Sequence, residues 1–197
     1  MPEPDLTLIA LDVDGVLNSF TKKPRTPHAK ALVGRWNIQW QQAVLDRLKA
    51  LLALPNVEGA WVTTWLEEPW LLDELEQALG LEGLVPHRAD HPAVQTRSGH
   101  TIINDVFDEY ISFYPETRHW WKLRAMELLI DRLRPARLAW LDDDLGSDLH
   151  GDSWRLGITP ERFLLRPHAV SGLLPGDMSQ LEHWVSIGDP PARRGTA

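Results

Sequence analysis

The feature that most constrains the fold is an apolar run near the start of the chain that ends in an acidic turn. Residues 6–11 are apolar apart from Thr7, and Asp12-Val13-Asp14-Gly15 follows at once. A short apolar run bounded by a turn signal is typical of a buried strand. In an open α/β sheet, the ligand crevice lies outside the carboxyl ends of the strands. We therefore predict that Asp12 lies in such a crevice.

The spacing of the two aspartates suggests a shared site. Side chains alternate between the faces of a strand, so Asp12 and Asp14 point the same way if the extended geometry continues past Asp12. Two carboxylates in one small volume repel each other unless a cation or a shared proton relieves the repulsion. The alternative is that they cap the following segment or face solvent, since acidic residues are common at turns and helix starts.

Strand-like and helix-like segments alternate along the rest of the chain. This pattern predicts a βαβ architecture with a mainly parallel sheet. Apolar runs predict later strands at residues 57–63, 138–142 and 163–166. Apolar residues at helical spacing predict helices at 41–54, 69–79 with Gly80 as C-cap, 117–134, and 178–185 with Leu181 and Trp184 facing inward.

Two segments interrupt this alternation. Residues 18–40 and 84–116 show no clean period, and we expect both to be insertions or loops that cover the crevice, the first passing over the sheet edge. Residues 188–197 are rich in Pro, Arg and Gly, which predicts a frayed tail. We therefore predict one domain over residues 1–187.

Composition excludes several classes of protein. A length of 197 residues with 43% hydrophobic and 24% charged content is typical of one soluble globular domain. No apolar run could span a bilayer and no signal-peptide pattern is present, so we expect a cytoplasmic protein with no membrane partner. The absence of cysteine excludes disulfides, thiolate zinc sites and cysteine nucleophiles. A net charge of −8 argues against a surface devoted to nucleic-acid backbones, although Lys22, Lys23 and Arg25 offer a local basic groove.

Three further segments bring polar side chains to the predicted crevice. The second strand of the predicted sheet ends in Thr63 and Thr64, the third helix carries Lys122, and a later strand ends in Asp142-Asp143-Asp144. If these strands are parallel neighbours, their carboxyl ends converge near Asp12. Carboxylates suit a hard cation such as Mg²⁺, while a hydroxyl and an ammonium group neutralise phosphate oxygens. The set therefore predicts a magnesium site beside a phosphoryl group.

The same residues suggest a reaction. A carboxylate can accept a phosphoryl group and form an aspartyl-phosphate that water hydrolyses, and we predict Asp12 as this nucleophile. Asp14 is then suited to protonate the leaving alkoxide and later to deprotonate the attacking water, a role worth about 10²–10⁴ in rate. Each part is weaker alone, because Thr63 could be an ordinary strand residue and Lys122 a solvated helix residue. Asp148 and Asp152 make the last loop acidic throughout, so not all of its carboxylates can be ligands.

The motifs resemble those of a known superfamily. Asp12-Val13-Asp14-Gly15-Val16, Thr63, Lys122 and Asp142-Asp143 follow the order of the four motifs of the haloacid dehalogenase-like superfamily of phosphohydrolases, and the resemblance covers residues 6–185. Three segments are similar to the haloacid dehalogenase-like domains of Swiss Army Knife RNA repair proteins: Thr-Thr-Trp at 63–65, Trp-Leu-Asp-Asp-Asp at 140–144, and Phe-Leu-Leu-Arg-Pro at 163–167 with Ser-Gly-Leu at 171–173.

The resemblance implies a fold and a cofactor. It implies a doubly wound parallel sheet of the Rossmann-like type in three α/β/α layers, dependence on Mg²⁺ and an aspartyl-phosphate intermediate. Residues 18–40 and 84–116 lie where caps over the active site arise in this superfamily, and their length implies a small cap or none.

The resemblance also implies a role for each motif residue. Asp14 bears on the reaction type, because superfamily members that cleave carbon–halogen bonds lack this residue and phosphatases keep it. The implied roles are Asp12 as nucleophile, Asp14 as acid/base with its main-chain carbonyl on the metal, Asp142 and Asp143 as the acidic metal-site pair, Thr63 and Lys122 as phosphate binders, and Thr64 as a rival to Thr63.

The sequence specifies neither the substrate nor the oligomeric state. An open crevice favours macromolecular or bulky substrates, and tryptophans could stack on bases. The candidates for the crevice rim are Trp65, Trp70, Trp120 and Trp121, whereas Trp36, Trp40, Trp61, Trp140 and Trp184 are more simply interpreted as core residues.

Three hypotheses for function follow. The leading one is a Mg²⁺-dependent phosphomonoester hydrolase that acts on a phosphorylated small molecule, a nucleotide or a nucleic-acid end. One alternative is a noncatalytic module that binds phosphate or an RNA end, and the other is a phosphotransferase.

Overall fold

A computed structural model describes residues 6–22, 24, 26–91, 121–145 and 160–187 of the chain. None of the helices in these ranges is long and apolar enough to cross a membrane. The elements are β1 (Thr7–Leu11), β2 (Ala29–Val33), β3 (Trp36–Trp40), α1 (Gln42–Leu52), β4 (Val57–Trp61), a 3₁₀ helix (Thr64–Glu67), α2 (Pro69–Leu79), β5 (His87–Arg88), α3 (Trp121–Leu133), β6 (Arg137–Leu141), β7 (Glu161–Leu165) and α4 (Pro175–Ile187).

Five strands form a parallel sheet in the order β5-β4-β1-β6-β7. The chain passes from β1 outward through β4 to β5, and then returns to the other side of β1 for β6 and β7. The winding therefore reverses beside β1, which confirms the predicted doubly wound parallel α/β fold. In such sheets, ligands bind outside the carboxyl ends of the strands where the winding reverses. The topology therefore predicts a ligand-binding site at the carboxyl end of β1.

The centre of the sheet forms the core. Every residue of β1 and of β6 is buried, as expected for parallel strands covered on both faces. The rings of Trp61 and Trp140 are fully buried, which confirms that they are core residues. Trp184 faces inward only in part, because its half-buried ring stacks on Phe163 with the guanidinium of Arg137 3.9 Å from the ring centroid.

The predicted helices and strands agree with the structure within about three residues wherever the structure describes them. Helix α2 spans the predicted range and ends at Gly80, whose φ of 64° is the left-handed conformation of a C-cap glycine. Strand β4 ends two residues earlier than predicted, because Thr63 caps the 3₁₀ helix. The predicted first turn of α3 at 117–120, residues 92–116 of the second insertion and the tail at 188–197 lie outside the described residues.

The insertion at residues 18–40 contains an antiparallel hairpin of β2 and β3, which the sequence analysis did not predict. The hairpin turns at Gly34, whose N–H donates to the carboxylate of Glu74 on α2. Trp40 is a core residue as predicted, but the same prediction for Trp36 is wrong. Trp36 stands at the turn end of the hairpin, where 49% of its surface is exposed.

Candidate active site

The site begins where two neighbouring strands end. Leu11 of β1 is in register with Leu141 of β6, so Asp12 and Asp142 follow at equivalent positions. The Asp12 N–H donates to the Leu141 carbonyl at 3.0 Å, which extends the pairing by one residue. Asp12 is 6% exposed and Asp142 is fully buried. Parallel pairing therefore places two carboxylates side by side in an environment that largely excludes solvent.

Lys122 connects these two carboxylates. It lies in the first turn of α3 and is 4% exposed. Its Nζ donates to Asp12 Oδ2 at 2.6 Å and to Asp142 Oδ2 at 2.9 Å. The other oxygen of each carboxylate accepts a backbone N–H, from Val13 for Asp12 and from Asp144 for Asp142. The carboxylates are thus oriented from two sides.

Asp143 completes the cluster. Asp12, Asp142 and Asp143 each offer a carboxylate oxygen, and the three oxygens lie within 4.8 Å of one another. Asp143 is close to Gly15, which has a φ of +69°, and a Cβ at Gly15 would overlap the Asp143 carboxyl group. Glycine is therefore needed at this position both for the backbone conformation and for the close approach.

Burial and charge perturb the proton affinities of these groups. Burial, opposed by Lys122 and reinforced by Asp12, raises the pKa of the Asp142 carboxyl to about 7. Burial and the neighbouring carboxylates of Asp144 and Asp12 also raise the pKa of Asp143. Burial alone would lower the pKa of Lys122, but its ion pairs with Asp12 and Asp142 outweigh burial and raise it above its usual value.

This donor set fits a divalent cation. When ionised, three clustered carboxylates exceed the single ammonium group of Lys122 by two negative charges. Carboxylate oxygens are the ligands of hard cations such as Mg²⁺ and Ca²⁺. Burial raises the pKa of Asp142 and of Asp143 despite the neighbouring ammonium group of Lys122, and a bound cation would favour the ionised form of both carboxyl groups. The cluster can therefore hold a divalent metal ion.

Among the described residues, the carboxylate cluster consists of Asp12, Asp142 and Asp143 and does not include Asp14. Its Oδ1 accepts a hydrogen bond from Asn18 Nδ2 at 2.7 Å, and its Oδ2 accepts one from Trp65 Nε1 at 2.9 Å. The two donors hold the carboxylate in one orientation. Metal ligation by the main-chain carbonyl of Asp14 stays a prediction.

The two candidate threonines occupy different environments. Thr63 is fully buried, and its hydroxyl oxygen accepts a weak hydrogen bond of 3.4 Å from the Trp65 N–H. Thr64 is exposed and lines a cavity beside Asp14. Thr63 thus stands closer to the buried end of β4, whereas Thr64 faces the open side.

Other candidates are set apart from the cluster. The Asp144 side chain is exposed, and it is the Asp144 backbone that contacts Asp142. Among the predicted rim tryptophans, Trp65 lines the cavity beside Asp14, whereas the indole N–H of Trp70 donates to Glu68. Of the remaining candidates, Lys22 is exposed and Trp121 is half-buried with its ring packed edge-on against His91. Five others lie outside the described residues: Lys23, Arg25, Trp120, Asp148 and Asp152.

Two contacts were missing from the sequence analysis. The sequence predicts Trp65 at the crevice rim but does not indicate its hydrogen bond to Asp14. It does not indicate Asn18 as a site residue. A signal for Asn18 does exist, because an asparagine in the turn after Asp14 is of a residue type that often bonds to neighbouring groups. No local pattern indicates the Trp65 contact, since Trp65 follows a different strand.

Comparison with known proteins identifies a family but no curated relative. No curated protein matches the chain. The model of the family described as the HAD domain in Swiss Army Knife RNA repair proteins matches residues 8–175, most of the chain and every described residue of the site. The chain therefore belongs to this family of haloacid dehalogenase-like domains.

Proposed function

We propose that this protein is a Mg²⁺-dependent phosphomonoester hydrolase that acts through an aspartyl-phosphate intermediate. The observation that carries the proposal is the buried cluster of Asp12, Lys122, Asp142 and Asp143 at the end of β1. Membership of a haloacid dehalogenase-like family suggests phosphohydrolase chemistry and a divalent metal. The negative charge of the three clustered carboxylates supports the binding of a divalent metal and therefore metal-dependent phosphohydrolase chemistry.

In this proposal the carboxylates of Asp12, Asp142 and Asp143, together with the main-chain carbonyl of Asp14, would hold Mg²⁺. When bound, the ion supplies Lewis-acid stabilisation of phosphate charge and lets an anionic nucleophile approach an anionic substrate. Lys122 donates to Asp12 and Asp142 in the structure, and it supplies an additional positive charge for the phosphoryl oxygens. We assign the buried hydroxyl of Thr63, rather than that of Thr64, as the second phosphate donor.

The proposed reaction has two steps, phosphorylation of Asp12 and hydrolysis of the aspartyl-phosphate. A carboxylate oxygen of Asp12 attacks phosphorus, the ester P–O bond breaks, and the leaving alkoxide takes a proton from Asp14. Water then attacks phosphorus, its proton returns to Asp14, and the bond between phosphorus and Asp12 breaks to release inorganic phosphate. The bonds from Asn18 and Trp65 support this role, because they hold the Asp14 carboxylate in a defined position.

The experiment that tests the proposal compares Asp12→Asn with Asp144→Asn in phosphate release from 4-nitrophenyl phosphate and Mg²⁺. Asp144 is the control, because its carboxylate is exposed and it lies on the turn after β6, two residues after Asp142. We expect Asp12→Asn to lose at least about 10³-fold in rate, and Asp144→Asn to stay close to wild type. Thermal unfolding verifies that both variants fold. Unchanged phosphate release by Asp12→Asn would refute the mechanism.

A panel of substrates then separates the remaining alternatives. The family description names RNA repair proteins, so the panel contains oligonucleotides phosphorylated at the 5′ or 3′ end as well as nucleotides and sugar phosphates. Saturable, Mg²⁺-linked binding without turnover across the panel would indicate a noncatalytic phosphate- or RNA-end-binding module. Transfer of phosphate to an added alcohol in excess of hydrolysis would indicate a phosphotransferase.

A further inference from the structure

We propose that the cavity beside Asp14 is a subsite for the nucleobase of a nucleoside leaving group. This inference rests on the proposed function, because it assigns the part of the substrate that departs from the phosphate. The cavity has a volume of about 440 Å³ and lies between the β2–β3 hairpin and the 3₁₀ helix. Its size falls within the usual range for small-molecule pockets.

The cavity is continuous with the catalytic acid/base. Asp14 lines its wall, as does Trp65, the residue whose indole N–H donates to Asp14 Oδ2. A group that takes a proton from Asp14 must touch that carboxylate. The leaving group therefore extends from Asp14 into this cavity.

Two exposed aromatic rings indicate what the cavity binds. Phe20 is 51% exposed and Trp36 is 49% exposed, and both line it. Two exposed apolar rings that line one cavity form the kind of patch that marks a ligand-binding groove, and the flat faces of aromatic rings suit a planar ligand. The guanidinium of Arg35 lies 5.1 Å from the centroid of the Trp36 ring, a position from which a cation can also stack on a base.

The polar groups of the cavity favour an uncharged ligand over a second phosphate. Asp14, Glu67 and Glu68 contribute three carboxylates, whereas Arg35 contributes one guanidinium. This excess of negative charge repels a polyphosphate chain. The exposed amide of Asn37 offers a donor and an acceptor, which suits the edge of a neutral base.

The first arm of the test measures specificity. It compares kcat/KM for adenosine 5′-monophosphate with kcat/KM for glycerol 3-phosphate, a substrate with no aromatic group. Trp36→Ala should lower the ratio of the two by about tenfold, the loss expected for one stacked base. Phe20→Ala is a second variant in case Trp36→Ala does not fold. The matched control is Leu32→Ala, an exposed apolar residue on the same hairpin that does not line the cavity.

The second arm does not depend on turnover. Isothermal titration calorimetry measures the binding of adenosine, which carries no phosphate, to the full chain and to the same variants. We expect saturable binding to wild type and to Leu32→Ala, and binding at least about tenfold weaker to Trp36→Ala or Phe20→Ala.

The two arms distinguish failure of the subsite from failure of the proposed function. An unchanged specificity ratio in both aromatic variants, together with adenosine binding that does not depend on them, would overturn the subsite even if phosphate esters are hydrolysed. Adenosine binding that requires these rings, in a protein that hydrolyses no phosphate ester, would support the subsite and overturn the enzyme.

Discussion

Lys122 should be the largest single contributor to the stability of the site. Its ammonium group is the positive partner of two buried carboxylates, at 2.6 Å from Asp12 and 2.9 Å from Asp142. Lys122→Met keeps an unbranched side chain of similar shape and removes the charge. The variant leaves the carboxylates buried without their ammonium partner, which is more costly than losing the attraction alone.

The expected loss is large for a chain of this size. Removing one member of a buried ion pair typically costs about 3–5 kcal/mol. A domain of this length loses about 2–4 °C in Tm for each kcal/mol, so the metal-free variant should melt about 10 °C below wild type. Mg²⁺ should stabilise the variant more than wild type, because the ion then supplies the missing positive charge.

The loss should also depend on pH. Because the pKa of Asp142 is raised to about 7 in the folded protein from 3.8, the folded state retains a proton that the unfolded state has lost between these values. Stability therefore falls as pH rises through this window. Without Lys122 the folded pKa rises further, so the deficit of the variant should be smaller at pH 5 and largest above pH 7.

Thermal and urea unfolding of metal-free protein at pH 5, 6, 7 and 8 measures these effects. Lys30→Met is the matched control, because Lys30 is an exposed lysine on β2. We expect it to change stability by no more than about 0.5 kcal/mol at any pH. A loss below about 1 kcal/mol for Lys122→Met at pH 8, or a deficit that does not vary with pH, would refute the assignment of Lys122 as the partner of the buried carboxylates.

Two further substitutions probe the residues around the cluster. Trp65→Phe replaces the indole by a smaller aromatic ring and removes the N–H donor to Asp14. We expect kcat for an alkyl phosphate to fall about tenfold more than kcat for an aryl phosphate, whose leaving group needs less acid assistance. Equal losses would contradict this, and Trp70→Phe is the control because its indole N–H donates to Glu68. Gly15→Ala and Gly83→Ala share the strain of a positive φ, but of the two only Gly15→Ala would bring the added Cβ into the Asp143 carboxylate of the proposed metal site. Calorimetric titration should therefore show weaker Mg²⁺ binding for Gly15→Ala alone, and equal affinities would contradict the placement of that carboxylate at the metal.

Much of the fold follows from local patterns. The largely apolar run of β1 predicts a buried strand, and the spacing of Leu72, Leu75 and Leu79 with Gly80 predicts α2 and its end. Convergence of Asp12 and Asp142 follows from parallel topology alone, because adjacent parallel strands end at the same edge. These features depend on short segments or on a general rule of chain winding.

What escaped prediction depends on contacts between distant segments or on a shift of one residue. Thr63 and Thr64 differ in burial because β4 stops at Trp61 and a 3₁₀ helix begins, which the apolar pattern does not reveal. The bond from Trp65 to Asp14 joins residues 51 positions apart. The exposure of Trp36 results from its position beside the two-residue turn of a hairpin that was not predicted from the sequence.

The proposed mechanism requires Asp12 to become covalently phosphorylated. The most direct measurement uses Asp14→Asn, in which hydrolysis of the intermediate is slowed, mixed with 4-nitrophenyl phosphate and Mg²⁺, quenched, reduced with borohydride and analysed by peptide mass spectrometry. Borohydride converts an aspartyl-phosphate to homoserine. We predict homoserine at position 12 only in samples that contain substrate. Phosphate release without modification of Asp12, or modification at Asp142 or Asp143 instead, would contradict the mechanism.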